Sequence, residues 1–575
     1  MLTSPAGRPG LPAPAVRPQP ESADLPANDR SLGRRAYQIV GLLLGSYLLL
    51  GVVWALSNPP PSGTDEPAHY IKALATGQGE LFGSHALFPY RDPTVPNMLY
   101  FWDQTTRAFR VPAQQAPAAT FACDAGGTDV PATCVSGTRC VRWAAACSGS
   151  PPVTGYVVLP TYVGNYEPTM YFVPGIVARL ASNDVDGLRL ARLGELLVAL
   201  LLLTAAALLL VDRHAVALSL VGLVITATPM VIYVNSMLNP NGGEIVSSLC
   251  FAAAMLRIWR DQGEPAKWIW LVAGIAGALL ASSRVFGPLW AAITVATTVA
   301  LLGPRSSLRA VRKAGWPALT AIGLVAAGVL ADLAWWQLVG QPRSRVPLST
   351  FPRYLWTLVN DLPQLFEQQI GAFGWGEGNI SMSAPGYIVW NAMVLTVLVL
   401  STLVASARQR LVLFTLIAAN LLFTVVVGSM MRVLFDFAGG TGILGRYILP
   451  WSVVITLTAG EILRRNGTRL GSLLPRNLLV YLVVGAGFCH VLSLWMAARR
   501  FAVGTNGRLF FLPDSQWSPH FGWAPWLVLA GLAALMMVAA GVLATRLPAA
   551  MDVATVRNLE AVTSRTPLPT DGSVT

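Results

Sequence analysis

The sequence predicts an all-α polytopic membrane protein, and its composition and charge distribution support this class. Hydrophobic residues make up 54% of the 575 residues and charged residues only 12%, with a mean hydropathy of +0.54. Soluble chains carry roughly twice that fraction of charge. The formal net charge of +12 comes from basic residues dispersed between apolar runs. It therefore indicates membrane topology, and we expect no nucleic-acid partner.

Apolar runs long enough to cross a bilayer, at about 20 residues per crossing, recur along the chain. About twelve spans are predicted. They lie near residues 36–56, 190–211, 215–236, 242–260, 267–281, 285–303, 317–339, 387–405, 411–430, 446–463, 477–497 and 524–545.

The spans and the polar segments divide the chain into three parts. Residues 1–33 are rich in Pro, Ala, Ser and Arg without apolar periodicity, and they are predicted to be a disordered tail, as are residues 549–575. Residues 34–548 form the predicted membrane domain. Two long polar segments interrupt it, residues 57–186 after the first span and residues 341–386 after the seventh.

Positive charge orients these spans. Arg30, Arg34 and Arg35 precede the first span, which places the N-terminus in the cytoplasm and both long segments outside. The apolar core of a cleavable signal peptide would lie nearer the N-terminus, so we expect the first span to be retained. An even number of spans then puts both termini of this cell-membrane protein in the cytoplasm. The predicted inner loops are short and carry Arg213, Arg257, Arg260, Lys267, Arg305, Arg309, Arg312, Lys313, Arg408, Arg410, Arg464, Arg465, Arg469 and Arg476.

Four of the six cysteines fall in the first outer segment: Cys123, Cys134, Cys140 and Cys147. An even cluster in an exported segment predicts two disulfides, with three pairings open. A zinc site is the alternative, but the cluster lacks the closely spaced cysteine pairs usual for zinc. Cys250 and Cys489 lie in spans and are predicted to be small apolar packing residues.

An unusual polar motif, Asp65-Glu66-Pro67-Ala68-His69-Tyr70, follows the first span on the outer side. Carboxylates at a membrane boundary can form a polar reaction centre outside the hydrocarbon. The acids could instead cap a helix that begins near the proline. On such a helix the imidazole could share a face with either acid. It is then either a metal ligand or a hydrogen-bonded structural residue.

Other unusual polar residues also lie on the predicted outer side: Glu167, Asn239, Arg284, Trp375, Arg446 and Tyr447. The Arg446-Tyr447 pair could be an interfacial anchor, or its guanidinium could bind a phosphate. The same two readings apply to Arg284. Trp375 could stack on a sugar ring, although many of the 18 tryptophans will belong to interfacial belts.

Four motifs follow one another in a characteristic order: Asp65-Glu66-Pro67-Ala68-His69-Tyr70, Tyr166-Glu167-Pro168-Thr169-Met170-Tyr171-Phe172, Asn239-Pro240-Asn241 and Gly445-Arg446-Tyr447-Ile448-Leu449-Pro450. With them, the chain from about residue 36 to 500 resembles the bacterial membrane family catalogued as a domain of unknown function (number 2142). That family is similar to the GT-C glycosyltransferases, which use polyprenyl-phosphate sugars. The resemblance implies a GT-C-like fold with its active site at the outer membrane face.

The resemblance also implies an activity, the transfer of a sugar from a polyprenyl-phosphate donor to an envelope glycan or lipid acceptor. Asp65 or Glu66 matches the acid that serves such enzymes as base or metal ligand. A divalent metal is therefore compatible with the motif but not required by it. Direct displacement would invert the anomeric centre. The other expected substrate-binding residues are His69, Tyr70, Glu167, Asn239, Arg284, Trp375, Arg446 and Tyr447.

Two other classes of protein fit some of these observations. A transporter or flippase of lipid-linked glycans would also have about twelve spans, but such proteins often contain internal repeats. The two halves of this chain have no convincing similarity, and the first outer segment has no counterpart in the second half. A non-catalytic scaffold would leave the clustered outer motifs unexplained. The sequence therefore favours the enzyme.

Overall fold

The structure, a computed structural model, describes residues 27–89, 96–117, 132, 155–343, 348–373, 380–435, 443–471 and 473–547. Several predictions concern residues outside these ranges, and they remain predictions: most of the N-terminal tail, the whole C-terminal tail, Trp375 and the cysteines Cys123, Cys134, Cys140 and Cys147.

The described residues are mostly helical. Their helices are α1 (Ala27–Ser57), α2 (Glu66–Gly77), α3 (Pro96–Thr105), α4 (Phe172–Ala178), α5 (Asp184–Leu210), α6 (Val216–Thr226), α7 (Pro229–Val234), α8 (Pro240–Arg260), α9 (Lys267–Ala281), α10 (Gly287–Leu302), α11 (Pro304–Ala314), α12 (Trp316–Val339), α13 (Phe351–Ile370), α14 (Ala384–Val404), α15 (Ala407–Phe435), α16 (Gly445–Asn466), α17 (Leu473–Val503) and α18 (Trp523–Thr545).

Among the described residues, eight helices are long and apolar enough to cross a membrane: α1, α5, α8, α12, α14, α15, α17 and α18. The pair α10–α11, bent by 105°, would be a ninth. The remaining predicted spans are also helical: α9 has 15 residues, and α16 has 22 residues with charges near both ends. Every predicted span is therefore helical, while the count of twelve stays a prediction.

The span predicted at residues 215–236 is broken into α6 and α7. Thr228 caps α7, because its hydroxyl oxygen accepts a hydrogen bond from the Val231 amide at 3.1 Å. Pro229 follows at the first helical position, where its missing N–H costs nothing. The Thr228 hydroxyl also donates to the Gln369 carbonyl at 2.9 Å, so the break is fixed to the end of α13.

The expectation of an all-α chain needs a correction, chiefly in the segment between α1 and α5. Three antiparallel strands lie there in the order β1 (Ser84–His85), β2 (Arg107–Pro112) and β3 (Tyr156–Thr161), with Arg107 opposite Thr161 and Pro112 opposite Tyr156. The side chains of Phe109 and Val111 are buried beneath them. A second pair, β4 (Ala372–Phe373) and β5 (Ile380–Ser381), is also antiparallel.

Helices α5, α8 and α16 carry charged groups at both ends of the bundle. At their C-terminal ends, Arg260 binds both carboxylate oxygens of Glu461, at 3.0 and 2.5 Å. Arg464 bridges the same carboxylate to Asp212, at 2.8 and 2.6 Å. The N-terminal ends of these helices lie at the opposite end, and the candidate site is found there.

Candidate functional site

The site begins where α1 ends and α2 starts. The Ser62 amide donates to the Pro59 carbonyl at 2.9 Å, and the Glu66 amide to the Gly63 carbonyl at 3.2 Å, so the chain turns sharply. Asp65 has a left-handed backbone (φ 57°, ψ 15°), a conformation that Asp adopts more readily than most residues. Its side chain does not cap α2. The two adjacent carboxylates therefore enter different surroundings.

The Glu66 carboxylate lies in a buried ion pair with Arg192 of α5. The guanidinium Nε and Nη2 lie 2.8 and 2.7 Å from its two oxygens, and both side chains have no solvent exposure. The amides of Gly63 and Leu238 each donate to it at 3.0 Å. Each of the two carboxylate oxygens thus accepts two hydrogen bonds. Arg192 also donates to three backbone carbonyls, those of Ala55, Asn58 and Pro59.

The Asp65 carboxylate is more open than that of Glu66, with 34% of its side chain exposed. Its Oδ1 accepts a hydrogen bond from the Tyr162 hydroxyl at 2.7 Å. Its Oδ2 lies 3.9 Å from Nη2 of Arg446. Burial, followed by the charge of Asp65, raises the pKa of Tyr162 well above its usual value, so the phenol stays protonated. One oxygen of Asp65 is therefore held and the other faces a cation.

Arg446 and Arg284 approach the same aromatic ring. The guanidinium carbons of Arg284 and Arg446 lie 4.6 and 5.2 Å from the centre of the Tyr447 ring. Arg284 also lies 5.2 Å from the centre of the Tyr166 ring. The side chain of Arg446 is 8% exposed, and its buried Nε has no hydrogen-bond partner in the described part of the chain.

Glu244 of α8 balances part of this charge. Its Oε2 is 4.0 Å from Nη1 of Arg284, beyond hydrogen-bonding distance, and its Oε1 accepts from the Trp290 indole at 2.9 Å. Arg284 and Arg446 therefore have nearby counter-charges without close ion pairs. The guanidinium groups of Arg284 and Arg446 can therefore donate hydrogen bonds to an anionic ligand.

His69, Tyr70 and Asn239 have mainly structural contacts. His69 Nδ1 lies 2.7 Å from the Tyr171 hydroxyl. Burial, and then the charges of the two arginines above, lower the pKa of this imidazole well below its usual value. Tyr70 belongs to the buried apolar cluster that α2 forms with β2, α4 and α5. The Asn239 side chain caps α8 and donates to the Thr64 carbonyl at 3.1 Å.

Glu167 is buried and forms a hydrogen-bonded pair of carboxyl groups with Asp332 of α12. Burial raises the pKa of Glu167, and the neighbouring Asp332 raises it further. Lys72 lies nearby and donates to the Leu81 and Gly164 carbonyls at 3.0 and 2.9 Å. Burial lowers the pKa of Lys72 to about 7.

The structure thus brings together Asp65, Arg284, Arg446 and Tyr447. It places Glu66 in an ion pair and Glu167 in a carboxyl pair. Sequence reasoning missed Arg192, Tyr162 and the pairing of Asp332 with Glu167. An ionisable residue inside a predicted span, as Arg192 is, was the available signal, whereas Tyr162 has none. In the ranges that the structure describes, no cluster of three or more His, Cys, Asp or Glu side chains is placed to hold a metal ion.

Residues 48–455 match the family model described as "Predicted membrane protein (DUF2142)". The chain belongs to this family. The matched region contains all the site residues described above, from Asp65 to Tyr447.

No curated protein matches the sequence. Two similar solved structures are those of ArnT from Cupriavidus metallidurans, in the apo state and bound to undecaprenyl phosphate. They are 12% and 13% identical to this chain, with TM-scores of 0.38 and 0.35. Each alignment covers 88% of this chain and 76% of the ArnT chain.

Proposed function

We propose that this family member is a membrane glycosyltransferase of the GT-C kind. It would transfer a sugar from a polyprenyl-phosphate donor to an envelope glycan or lipid acceptor. The observation that carries the proposal is the convergence of Asp65, Arg446 and Arg284 at one end of the bundle. A base and a pair of phosphate-binding cations are what such a transfer needs from a protein.

Asp65 is the general base in this proposal. Its Oδ1 is occupied by the Tyr162 hydroxyl at 2.7 Å, so Oδ2 takes the proton from the acceptor hydroxyl as that oxygen attacks the anomeric carbon. A positioned base contributes about 10²–10⁴-fold in rate. Glu66 is unsuited to this role because both its oxygens are already hydrogen-bonded in a dry pocket.

Arg446 and Arg284 stabilise the phosphate that leaves. Charge develops on the leaving oxygen as the bond to the sugar breaks, and cations in a water-poor site stabilise it most effectively. The guanidinium fork can bind two phosphate oxygens at once. Direct displacement by the acceptor would invert the anomeric carbon, and the expelled lipid phosphate needs little acid assistance.

The donor would reach the site from the bilayer, so membrane lipids and the lipid-linked sugar are the expected partners. The end of the bundle with Asp65 and Arg446 would face outward, where envelope acceptors are found. Both termini would then lie in the cytoplasm, as the arginines before the first span predict.

The experiment uses the full chain in liposomes, with a panel of labelled polyprenyl-phosphate sugars as donors and undecaprenyl phosphate as the probe of binding. Asp65→Asn should abolish transfer while leaving undecaprenyl phosphate binding intact. Arg446→Lys keeps the charge but loses the fork, so it should weaken that binding. Asp514→Asn and Arg508→Lys are matched controls, because these residues form an exposed ion pair.

The outcomes separate the enzyme from a transporter of lipid-linked glycans. Full transfer by Asp65→Asn would exclude Asp65 as the base. Binding and translocation of the lipid by the wild type, with no transfer from any donor, would favour the transporter. Equal losses in the control variants would mean that the effects of the site variants are not specific to the site, and would contradict the proposed roles of Asp65 and Arg446.

A further inference from the structure

Helix α11 lies across the end of the bundle opposite the candidate site. The adjoining α10 begins three residues after Arg284 and ends at Leu302. Gly263, which follows Arg260 at the end opposite the site, is in contact with Ala310 of α11. Two glycines bound α11, Gly303 (φ 103°) and Gly315 (φ 61°), in conformations that other residues rarely adopt. The chain turns by 105° between α10 and α11. Helix α11 therefore lies at a steep angle to α10, along the end of the bundle.

One face of α11 packs against the rest of the protein. Ala310 is 5% exposed, and a Cβ placed on Gly263 would come within 2.6 Å of its Cβ. Lys313 at the edge of this face is paired with Glu264 at 2.6 Å. This contact fixes the rotation of α11 and so determines which residues face away from the bundle.

The opposite face has three arginines and one leucine. Arg305, Arg309 and Arg312 are exposed, and their spacing of three or four residues places them on one side of the helix. Leu308 lies among them with 52% exposure. In the described part of the chain, none of the three arginines lies within ion-pair distance of a carboxylate, and Arg309 donates only to the Ser306 hydroxyl, at 3.2 Å.

The residues next to this face include the start of a candidate membrane span. Helix α12 follows directly and is one of the candidate spans. Its first residue, Trp316, is 81% exposed, as expected for an aromatic residue at the membrane interface. Arg408 adds a fourth exposed cation, and its guanidinium lies 3.3 Å from where a Cβ on Gly303 would be.

We propose that the exposed face of α11 binds the phosphates of anionic phospholipids in the leaflet opposite the candidate site. A basic helix with exposed apolar residues, lying flat at a membrane boundary, has the form of an interfacial helix. Each of its guanidinium groups can form two parallel hydrogen bonds to a lipid phosphate. Leu308 and Trp316 would enter the acyl boundary beside them. This proposal is independent of the proposed glycosyltransferase activity.

The test measures lipid selectivity of the purified full chain. It is reconstituted in phosphatidylcholine, and the association of spin-labelled phosphatidylglycerol is compared with that of spin-labelled phosphatidylcholine. The wild type should prefer phosphatidylglycerol. The variant Arg305→Gln, Arg309→Gln, Arg312→Gln should reduce that preference roughly tenfold or more, without a change in melting temperature because the side chains are exposed.

The control removes the same amount of charge from the other end of the bundle, as Arg110→Gln, Arg189→Gln, Arg508→Gln. It should keep the preference. A preference that survives in the α11 variant would overturn the proposal, as would equal losses in both variants, which would mean a response to net charge alone. A wild type without preference, whose α11 instead captures an acidic protein or its own C-terminal tail, would also overturn it.

Discussion

Asp65 and Glu66 are adjacent carboxylates with opposite environments. Glu66 accepts four hydrogen bonds within a dry pocket, two of them from Arg192. Asp65 keeps a third of its side chain in solvent. The left-handed backbone at Asp65 separates the two directions. Glu66 is therefore part of a buried ion pair, whereas the Asp65 carboxylate remains accessible to a ligand.

This difference predicts opposite results for two similar substitutions. Glu66→Gln leaves the charge of Arg192 buried without a counter-charge, so the free energy of unfolding should fall by about 3–5 kcal/mol. Asp65→Asn should change it by less than about 0.5 kcal/mol, because Asn tolerates the left-handed backbone and still accepts from Tyr162. Melting temperatures in detergent measure both. A Glu66→Gln protein as stable as the wild type would contradict the role assigned to the ion pair.

The buried pair of Glu167 and Asp332 predicts a pH dependence of stability. The raised pKa of Glu167 means that the folded protein holds a proton that the unfolded chain releases. Stability should therefore fall as the pH rises above the ordinary glutamic acid value. Lys72, with its pKa lowered to about 7, has the opposite effect above that pH. His69, whose pKa is lowered, raises stability with pH over part of the same range. The contribution of the acid pair is therefore measured as the difference between the wild type and a variant without it.

Glu167→Gln should reduce the loss of stability with rising pH, since an amide can donate to Asp332 without titrating. Glu264→Gln is the matched control, because the Glu264 carboxylate forms an exposed pair with Lys313. Melting temperatures across the pH range give the comparison. An unchanged pH dependence in Glu167→Gln, or an equal change in both variants, would mean that the pair does not hold the proton.

At the scale of elements, α2 and α4 approach each other so closely that their backbones touch. A Cβ on Gly175 would lie 2.0 Å from the Ala73 carbonyl oxygen, and that oxygen belongs to the helix that carries His69. The position of α2, which carries Glu66 and His69, therefore depends on residue 175 of α4 having no side chain.

We expect Gly175→Ala to lower the melting temperature and to displace α2 with its site residues. Overpacking of this kind typically costs about 1–3 kcal/mol. Gly323→Ala on α12 is the control, because nothing lies within 4 Å of its Cβ position. It should be neutral or slightly stabilising, since Ala has the higher helix propensity. Equal melting temperatures for the two variants would show that α2 and α4 can separate without cost.

The elements were predictable where hydropathy decides them and less so elsewhere. Every predicted span is helical, because a long apolar run has few alternatives in a bilayer. The break between α6 and α7 went unpredicted although Thr228-Pro229 is a standard helix-start signal. The sheet went unpredicted because its strands are at most six residues long and lie far apart in a polar segment.

The whole molecule assembles its site from parts that are distant in sequence. The proposed transfer reaction requires Asp65 and Arg446 to lie in one site, and Oδ2 of Asp65 lies 3.9 Å from Nη2 of Arg446. Tyr162, Arg192 and Asp332 could not be matched to their partners, because no local spacing links residues that tertiary packing brings together. Roles follow from such partners, which explains why the sequence could not separate Glu66 from Asp65.

The proposed orientation of the molecule in the membrane gives a further prediction. In intact cells, an impermeant thiol reagent should label a cysteine introduced at Ser84, an exposed residue of β1, and should not label one at Ser307 on α11. Mass spectrometry of the labelled peptides distinguishes them from native cysteines. Permeabilised cells control for reactivity at Ser307. Labelling at Ser307 alone in intact cells would reverse the orientation.

The proposed orientation would place the cysteines of residues 57–186 in an oxidising compartment. We predict two disulfides among Cys123, Cys134, Cys140 and Cys147, each contributing roughly 2–4 kcal/mol. Non-reducing mass spectrometry of protein purified from membranes tests the prediction. Four free thiols would refute it.

The pairing of Glu66 with Arg192 also constrains the order in which parts of the protein fold during synthesis. The two residues are 126 positions apart, and at about 5–20 residues per second of synthesis Arg192 follows Glu66 by roughly 6 to 25 seconds. Until α5 enters the membrane, the Glu66 carboxylate must stay hydrated and the end of α1 cannot close over it. A nascent chain stopped before residue 192 should therefore remain open to protease near Glu66, and one that extends past Leu238, whose amide completes the hydrogen bonds to this carboxylate, should resist. The segment between α1 and α5 thus completes its folding only after α5 and the residues before α8 are in place.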